Sequence, residues 1–313
     1  MPTWNVSFDL RVDSNSGELQ SLLAVTRTQA RLVAGIPLPP SARWKIDALH
    51  IVRAVRGTTG IEGAAVSEEE VSRIIAALPG ETVLPASRHR EELEVRNAEA
   101  VMRFVASTDE ATITEDVIRR IHTLVTQGIP YEHNEPGIYR SHPAQAGDYI
   151  PPRTNQDVRD LMAKFVEWMN SPAVLAWDPV VRAVAAHFYL ISIHPFGDGN
   201  GRTSRALESL IMYRGGINVV GFYSLSNYYY EHRVEYVQML DHVRFRTDRD
   251  MTPFLLFAVK GLNQELEGVM STVVDALRTV AFRDYGRERL LGPDGPGQKV
   301  GMRQFELLSF ILD

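Results

Sequence analysis

Apolar positions recur at intervals of three and four along most of the chain, which predicts a mainly helical protein. The opening is different: Trp4, Val6, Phe8 and Leu10 alternate with polar residues, as in a short extended segment with one buried face. Helices are expected over Glu18 to Ala34 and Ala42 to Arg56, separated by Pro37, Pro39 and Pro40, with Ser41 placed to cap the second. Ser67 followed by Glu70 forms a capping box for a helix ending near Leu78, before Pro79 and Gly80. Further helices are expected at about 88–106, 115–127, 156–169 and 179–193, the last with Asp178 as cap and Pro179 at its first position. Arg202 to Tyr213, Tyr228 to Val243 and a long helix opened by Thr252 and Pro253 complete the helical pattern.

Two stretches depart from it. Gly137 to Pro152, with Ile138, Arg140, Tyr149 and Ile150 around a Gly147-Asp148 turn, predicts a β-hairpin or extended flap. Gly292 to Gly297 is a Gly/Pro linker before a short helical pattern, Met302 to Leu312. The fold class expected is therefore all-α with a short flap and a short extended amino-terminal segment.

Composition changes this picture little. The 313 residues are 44% hydrophobic and 23% charged, the balance of an ordinary globular chain. A net charge of -6 supplies no bulk attraction for nucleic acid or anionic lipid. The absence of cysteine excludes disulfides, thiolate metal sites and a cysteine nucleophile. Met1 to Arg11 lacks the basic and apolar regions of a signal peptide, so a cytoplasmic location is expected. Val180 to Ile193 is the strongest apolar stretch, but Arg182 and His187 interrupt it and it falls short of the roughly 20 residues that span a bilayer.

Candidate chemistry concentrates between two expected helices, in His194-Pro195-Phe196-Gly197-Asp198-Gly199-Asn200-Gly201-Arg202-Thr203-Ser204-Arg205. Pro195 ends the first helix, and the glycines let the backbone turn and come close to a ligand. The turn feeds a helix start, where unpaired amides and the macrodipole favour an anion. Arg202 and Arg205 share one face of that first turn, where a cation is disfavoured by roughly 0.3–1 kcal/mol unless something negative compensates. A polyphosphate would compensate both. Asp198 would repel it unless a divalent cation, magnesium by its preference for oxygen, lay between them. His194 can accept a proton from an attacking hydroxyl near neutral pH. Taken singly, each residue has a plain structural reading; twelve consecutive positions of this kind do not. No P-loop string, H-E-x-x-H zinc site or G-x-S-x-G elbow competes with this site.

This segment resembles the Fic-domain signature H-P-F-x-(D/E)-G-N-G-R-x-x-R, with every fixed position present. The resemblance implies a helical core and magnesium-dependent transfer of AMP from ATP to a Ser, Thr or Tyr hydroxyl of a protein. It further implies His194 as base, Asp198 on the metal, Gly199, Asn200, Gly201 and Arg202 on the α and β phosphates, and Arg205 on the γ phosphate. Thr203 and Ser204 belong to the same nucleotide-binding turn. Thr58-Thr59-Gly60-Ile61-Glu62-Gly63 resembles the inhibitory motif (S/T)-x-x-x-E-(G/N) of such proteins, in which Glu62 would pair with Arg205 and hold the γ-phosphate place, with Thr58 and Gly63 as the other fixed positions. Some relatives use that glutamate to remove AMP.

By the same resemblance Gly137 to Pro152 is a target-docking flap, which could hold a target by strand addition, with Ala144, Gln145, Ala146 and Gly147 near the nucleotide. Tyr236 falls where relatives line the adenine pocket. The expected division is an amino-terminal helical region with the inhibitory motif (1–110), a Fic core (111–255), a long helix (256–291) and the start of a winged-helix module (298–313). Two other functions keep the same motif: phosphate or phosphocholine transfer, and nucleotide-sensing transcription regulation. The 302–312 segment contains no recognition helix, so DNA binding is not expected of this chain. The expected partner is a hydroxyl-bearing protein target, with self-modification and a homo-oligomer both compatible and no membrane partner.

Overall fold

The computed structural model describes residues 7–13, 15–78, 80–108, 112–217, 224–246, 248–292 and 301–307. Trp4, Val6, Pro79, most of the 292–297 linker and the last part of the 302–312 pattern lie outside the described residues. The helices are α1 (Gly17–Gly35), α2 (Pro40–Ile61), α3 (Glu68–Ala76), α4 (His89–Ser107), α5 (Glu115–Thr126) and α6 (Asn155–Met169), followed by α7 (Pro172–Leu175), α8 (Pro179–Ile193), α9 (Asn200–Arg214), α10 (Ser226–Glu231), α11 (Arg233–Phe245) and α12 (Thr252–Leu291).

Local chemistry sets most of these boundaries. The Ser67/Glu70 capping box forms, and Asp178 caps α8 with Pro179 in its first turn. Thr114 and Thr154 cap α5 and α6 through their hydroxyls. Ser41 is not the cap of α2: Pro40 takes the first turn, Pro39 precedes it, and no side chain caps this end. The helix also continues to Ile61 rather than ending near Arg56, which places Thr58 within it and Glu62 at its end. The single helix expected over 228–243 is two, broken at His232, whose ring nitrogen lies 3.0 Å from the Tyr228 carbonyl.

Packing centres on α8, which buries twelve of its fifteen residues and is apolar nearly all round. Helix α9 runs against it and is itself covered by α4 and α5, while α6 covers α8 and α1 lies along α12. Phe8 enters this core beside Phe165, Trp168 and Tyr189. One continuous apolar cluster runs from Leu19 to Val273, so residues on both sides of the expected boundaries at 110 and 255 pack together. A smaller cluster joins α2, α3 and α4 through Val55, Val71, Ile74 and Val95.

Among the described residues there is no β-strand. The flap is extended backbone closed by one antiparallel bridge, Ala146 to Tyr149 across the Gly147-Asp148 turn, and Arg11 bridges Asp250. No helix among the described residues is long and apolar enough to cross a membrane.

Candidate active site

The six residues joining α8 to α9 form a turn held from three directions. Pro195 excludes the α conformation for His194, and the structure answers with a left-handed residue, φ 51° and ψ 57°, rather than an extended one. That geometry costs a non-glycine residue about 1–2 kcal/mol. Arg140, buried at the base of the flap, holds it in place. Its Nε donates to the His194 carbonyl at 2.7 Å and its backbone N–H to the Pro195 carbonyl at 2.9 Å. The remaining guanidinium nitrogens donate to the carbonyls of His142 and Pro152, so one side chain ties both ends of the flap to the histidine.

Beneath the turn, Phe196 is fully buried and stacks on His122 at 3.7 Å between ring centres and 3° between planes. His122 Nδ1 accepts from the Gly137 backbone N–H, so its Nε2 carries the proton and donates to the Asp198 carbonyl at 3.0 Å. Burial lowers the pKa of His122 to about 4, which matches this neutral form. Asn200 spends both ends of its amide on the backbone of Phe196. Thr203 and Ser204 are buried, and their hydroxyls bond the carbonyls four residues back. Gly199, the residue before α9, has φ 72°, which a side chain would resist.

His194 faces the start of α9 as a neutral base. Burial pushes its pKa down to about 4; the Ile191 carbonyl opposes this, whereas Arg140 and Arg244 reinforce it. Nδ1 lies 3.3 Å from the Ile191 carbonyl, an arrangement that leaves Nε2 as the accepting nitrogen.

The two motif arginines near the start of α9, Arg202 and Arg205, point to opposite sides. Arg205 is 1% exposed and donates through Nε to Thr58 Oγ1 at 3.1 Å, and through Nη2 to the Thr58 carbonyl at 3.0 Å and Glu62 Oε1 at 2.7 Å. Glu62 keeps 34% of its side chain exposed, yet its Oε1 would be 2.3 Å from a Cβ at Gly201. Its carboxylate therefore rests directly on the amino-terminal turn of α9, and glycine is required there by that approach. Burial opposes the charge on Glu62; Arg205 and Arg202 outweigh it and lower the pKa below the ordinary carboxylate value. Gly63 follows at φ 103°, open to solvent.

Arg202 is 5% exposed but poorly partnered. Nη2 donates to Tyr131 at 2.7 Å, Nη1 lies 3.5 Å from Glu94, and neither Nε nor Nη1 has a hydrogen-bond partner among the described residues. Buried donors in that condition ask for an acceptor. Asp198 stands beside it, 42% exposed, with Oδ1 accepting from the Gly199 N–H and Oδ2 without a protein partner among the described residues. Tyr131 and Glu94, neither recognised from sequence, come from a loop and from α4; only the fold reveals that they flank Arg202.

Ala144, Gln145, Ala146 and Gly147 sit at the exposed or half-buried crest of the flap, where Gln145 donates to the Gly147 carbonyl. Tyr236 is 2% exposed and lies behind Arg205, with its hydroxyl 2.8 Å from His187 Nε2. It is a buried neighbour of the arginine.

Fold and site together define a helical protein organised around a loop-and-helix anion site with a neutral histidine at its rim. Residues 112–212 match the Fic/DOC family, so this stretch is a Fic domain. Among curated proteins it is 31% identical over 225 residues to protein adenylyltransferase fic-1 of Caenorhabditis elegans and 34% identical over 163 residues to its Caenorhabditis briggsae counterpart. Those alignments cover 70% and 51% of this chain and span 41% and 31% of the relatives. A crystal structure of a Fic family protein from Desulfovibrio desulfuricans shares the fold, with a TM-score of 0.68 at 23% identity, covering 87% of this chain and 77% of that one. Fic-1 of C. elegans is similar, with a TM-score of 0.65 at 25% identity, covering 82% of this chain and 72% of that one.

Proposed function

We propose that this chain transfers AMP from ATP to a hydroxyl of a protein and that Glu62 restrains it. The observation that carries the proposal is the Glu62 carboxylate seated on the first turn of α9, bonded to Arg205 and adjacent to neutral His194. A carboxylate there occupies a place shaped for an anion, lined by helix amides and two guanidinium groups. The naming of the Caenorhabditis relatives as adenylyltransferases supports ATP as the donor.

With Glu62 withdrawn, Arg205 is free to hold a γ phosphate and Arg202 the α and β phosphates. The orphaned Nε and Nη1 of Arg202 then gain acceptors. The target hydroxyl oxygen attacks the α phosphorus as His194 Nε2 takes its proton; the bond from that phosphorus to the α–β bridging oxygen breaks, and pyrophosphate leaves. The free oxygen of Asp198 fits magnesium, which draws its other ligands from phosphates and water and needs no protein cage; among the described residues no cluster of three ligating side chains exists. Bound there, magnesium would neutralise phosphate charge. The flap, tied to the histidine through Arg140, offers exposed main chain on which a target segment can be laid.

The test is transfer of label from α-labelled ATP. Glu62→Gly is expected to raise self-incorporation and incorporation into lysate proteins, with a mass gain of one AMP unit. His194→Ala in that background should lower transfer by on the order of 10²–10⁴. No rise on removing Glu62 would refute restraint, and a gain of bare phosphate or phosphocholine would refute AMP transfer.

A further inference from the structure

Helix α8 ends against a proline, which leaves its last carbonyls short of donors. The Leu190 carbonyl accepts from the His194 N–H at 3.0 Å. The Ile191 carbonyl would take the N–H of the residue four places on, but that residue is Pro195 and has none. Beyond it the donors are committed elsewhere: the Phe196 N–H bonds Asn200 Oδ1 and the Asp198 N–H bonds Asn134 Oδ1. The flap supplies what is missing. Tyr149 donates its hydroxyl to the Ser192 carbonyl at 2.7 Å, Arg140 donates from Nε to the His194 carbonyl at 2.7 Å, and the Arg140 backbone N–H donates to the Pro195 carbonyl at 2.9 Å.

A guanidinium is a costly choice for this task. Arg140 is 3% exposed, and among the described residues no carboxylate pairs with it; three main-chain carbonyls, those of His194, His142 and Pro152, meet its charge. A buried cation without a counter-charge is harder to keep than a neutral donor. Its planar fork, however, lets one side chain meet several acceptors in fixed directions, which neither a lysine nor an amide can do. The fork holds His194 at φ 51°, a conformation that a non-glycine residue keeps only where its surroundings over-determine it. Asn155 steadies the clamp from α6, donating to the Arg140 carbonyl at 2.7 Å.

We infer that Arg140 is a positioning residue for proton transfer: by completing the end of α8 from the base of the flap, it fixes the angle at which the His194 ring meets the target hydroxyl. This rests on the reading of His194 as the base. The bonded nitrogens of Arg140 face the protein's own backbone, so it acts through the histidine rather than on the nucleotide. The segment that offers main chain to a target is then also the segment that sets the base.

The consequence is a split between rate and affinity. Self-incorporation from α-labelled ATP would be followed in the full chain carrying Glu62→Gly, alone and with Arg140→Lys, His194→Ala or both, after matching melting curves and with Mg-ATP affinity read by calorimetry. Lysine keeps the charge and loses the fork, so Arg140→Lys is expected to lower the rate at saturating Mg-ATP by about tenfold to a hundredfold, the size of an ångström-scale misplacement, with affinity unchanged. Once His194 is alanine, Arg140→Lys should lower the rate no further. An unchanged saturated rate, an equal loss of affinity, or the full loss repeated in the His194→Ala chain would overturn the clamp. If His194→Ala is slow and Arg140→Lys is not, the base stands and the clamp is wrong. If His194→Ala keeps the full rate, or the Glu62→Gly chain incorporates nothing, the reading of the base or of the transfer has failed and takes the clamp with it. Should Arg140→Lys not fold, Asn155→Ala decides: loosening Arg140 from behind is expected to lower the saturated rate by a smaller factor at unchanged affinity, and an unchanged rate overturns the proposal.

Discussion

The two motif arginines near the start of α9, Arg202 and Arg205, lie three residues apart and could hardly be partnered more differently. Arg205 is met by Thr58 from within α2 and by Glu62 at its end, with buried Tyr236 of α11 nearby. Arg202, on the α4 side, has Tyr131, Asp198 at 3.4 Å, a distant Glu94 at 3.5 Å and two buried nitrogens without hydrogen-bond partners among the described residues. The first is a completed site whose anion is built in; the second is an incomplete one. A protein restrained by its own carboxylate needs only one of its two phosphate grips filled. On the proposed reading, the difference puts the restraint at the outer phosphate and leaves the inner one ready.

The widest contrast is expected from alanine at each arginine. Arg205→Ala leaves Glu62 and Tyr236 facing a lost cation, and removal of one partner from a buried pair costs about 3–5 kcal/mol. The part-exposed Glu62 should bring the loss toward the lower end. Arg202→Ala removes two donors that are already unsatisfied along with the Nη2 bonds to Tyr131 and Asp198, while Glu94 retains Arg90 at 3.2 Å, so a smaller loss of about 1 kcal/mol is expected. Denaturant melts of both variants check this. Equal losses would erase the distinction between a filled and an unfilled grip. In the Glu62→Gly background, Arg202→Ala should then weaken Mg-ATP by about 1.5–3 kcal/mol, the worth of a hydrogen bond to a charged group, as read by calorimetry.

A smaller change tests what seats the built-in anion. At Gly57 an added Cβ would come within 2.6 Å of the Asn227 backbone nitrogen and the Ser226 carbonyl carbon, atoms of α10 that cannot swing aside. Overpacking of this kind costs about 1–3 kcal/mol. Relief requires α2 to shift, and Glu62 is the end of α2, also held by Arg233 Nε donating to the Ile61 carbonyl. Gly57→Ala should lower the melting temperature while raising label transfer. A stability loss with transfer unchanged would show that the seat of α2 does not govern Glu62.

The α9 side of this site was readable in the sequence because it is local. His194, Asp198, Gly199, Arg202 and Arg205 occupy twelve consecutive positions, and the helix boundaries around them follow from Pro195, Asp178 and Pro179. The α2 motif was readable as a string, although its reach across 143 residues to Arg205 needed the fold. Tyr131 and Glu94 were not legible, since each looks like an ordinary helix or loop residue until packing brings it to Arg202. Arg140 stood out only as a neighbour of the flap; its four carbonyl contacts depend on the left-handed His194 and on both flap ends arriving together. The flap read as a hairpin or an extended segment, and it is the extended form that is seen, since Pro143, Pro151 and Pro152 remove backbone donors and one bridge forms among the described residues.

The gentlest test uses pH. His50, His122 and His194 all have pKa values lowered to about 4, in each case chiefly by burial. An unfolded histidine binds its proton near pH ~6.5, so between roughly 6.5 and 4 the unfolded chain holds more protons than the folded one. Stability should therefore fall as pH is lowered through that window and stay level in this respect above it. Activity should behave differently. Because kcat/KM reports the free enzyme, a base with a pKa near 4 stays unprotonated at pH 5.5, and the Glu62→Gly variant should show no acid limb near 6.5. Glu62 raises the His194 pKa, so its removal moves any limb lower still. Initial rates from pH 8 down to the onset of unfolding, with magnesium in excess and circular dichroism alongside, separate the two effects. A limb at 6.5 in a folded protein would mean that His194 is solvated when Glu62 is gone, and that the carboxylate shields the histidine as well as occupying the arginine.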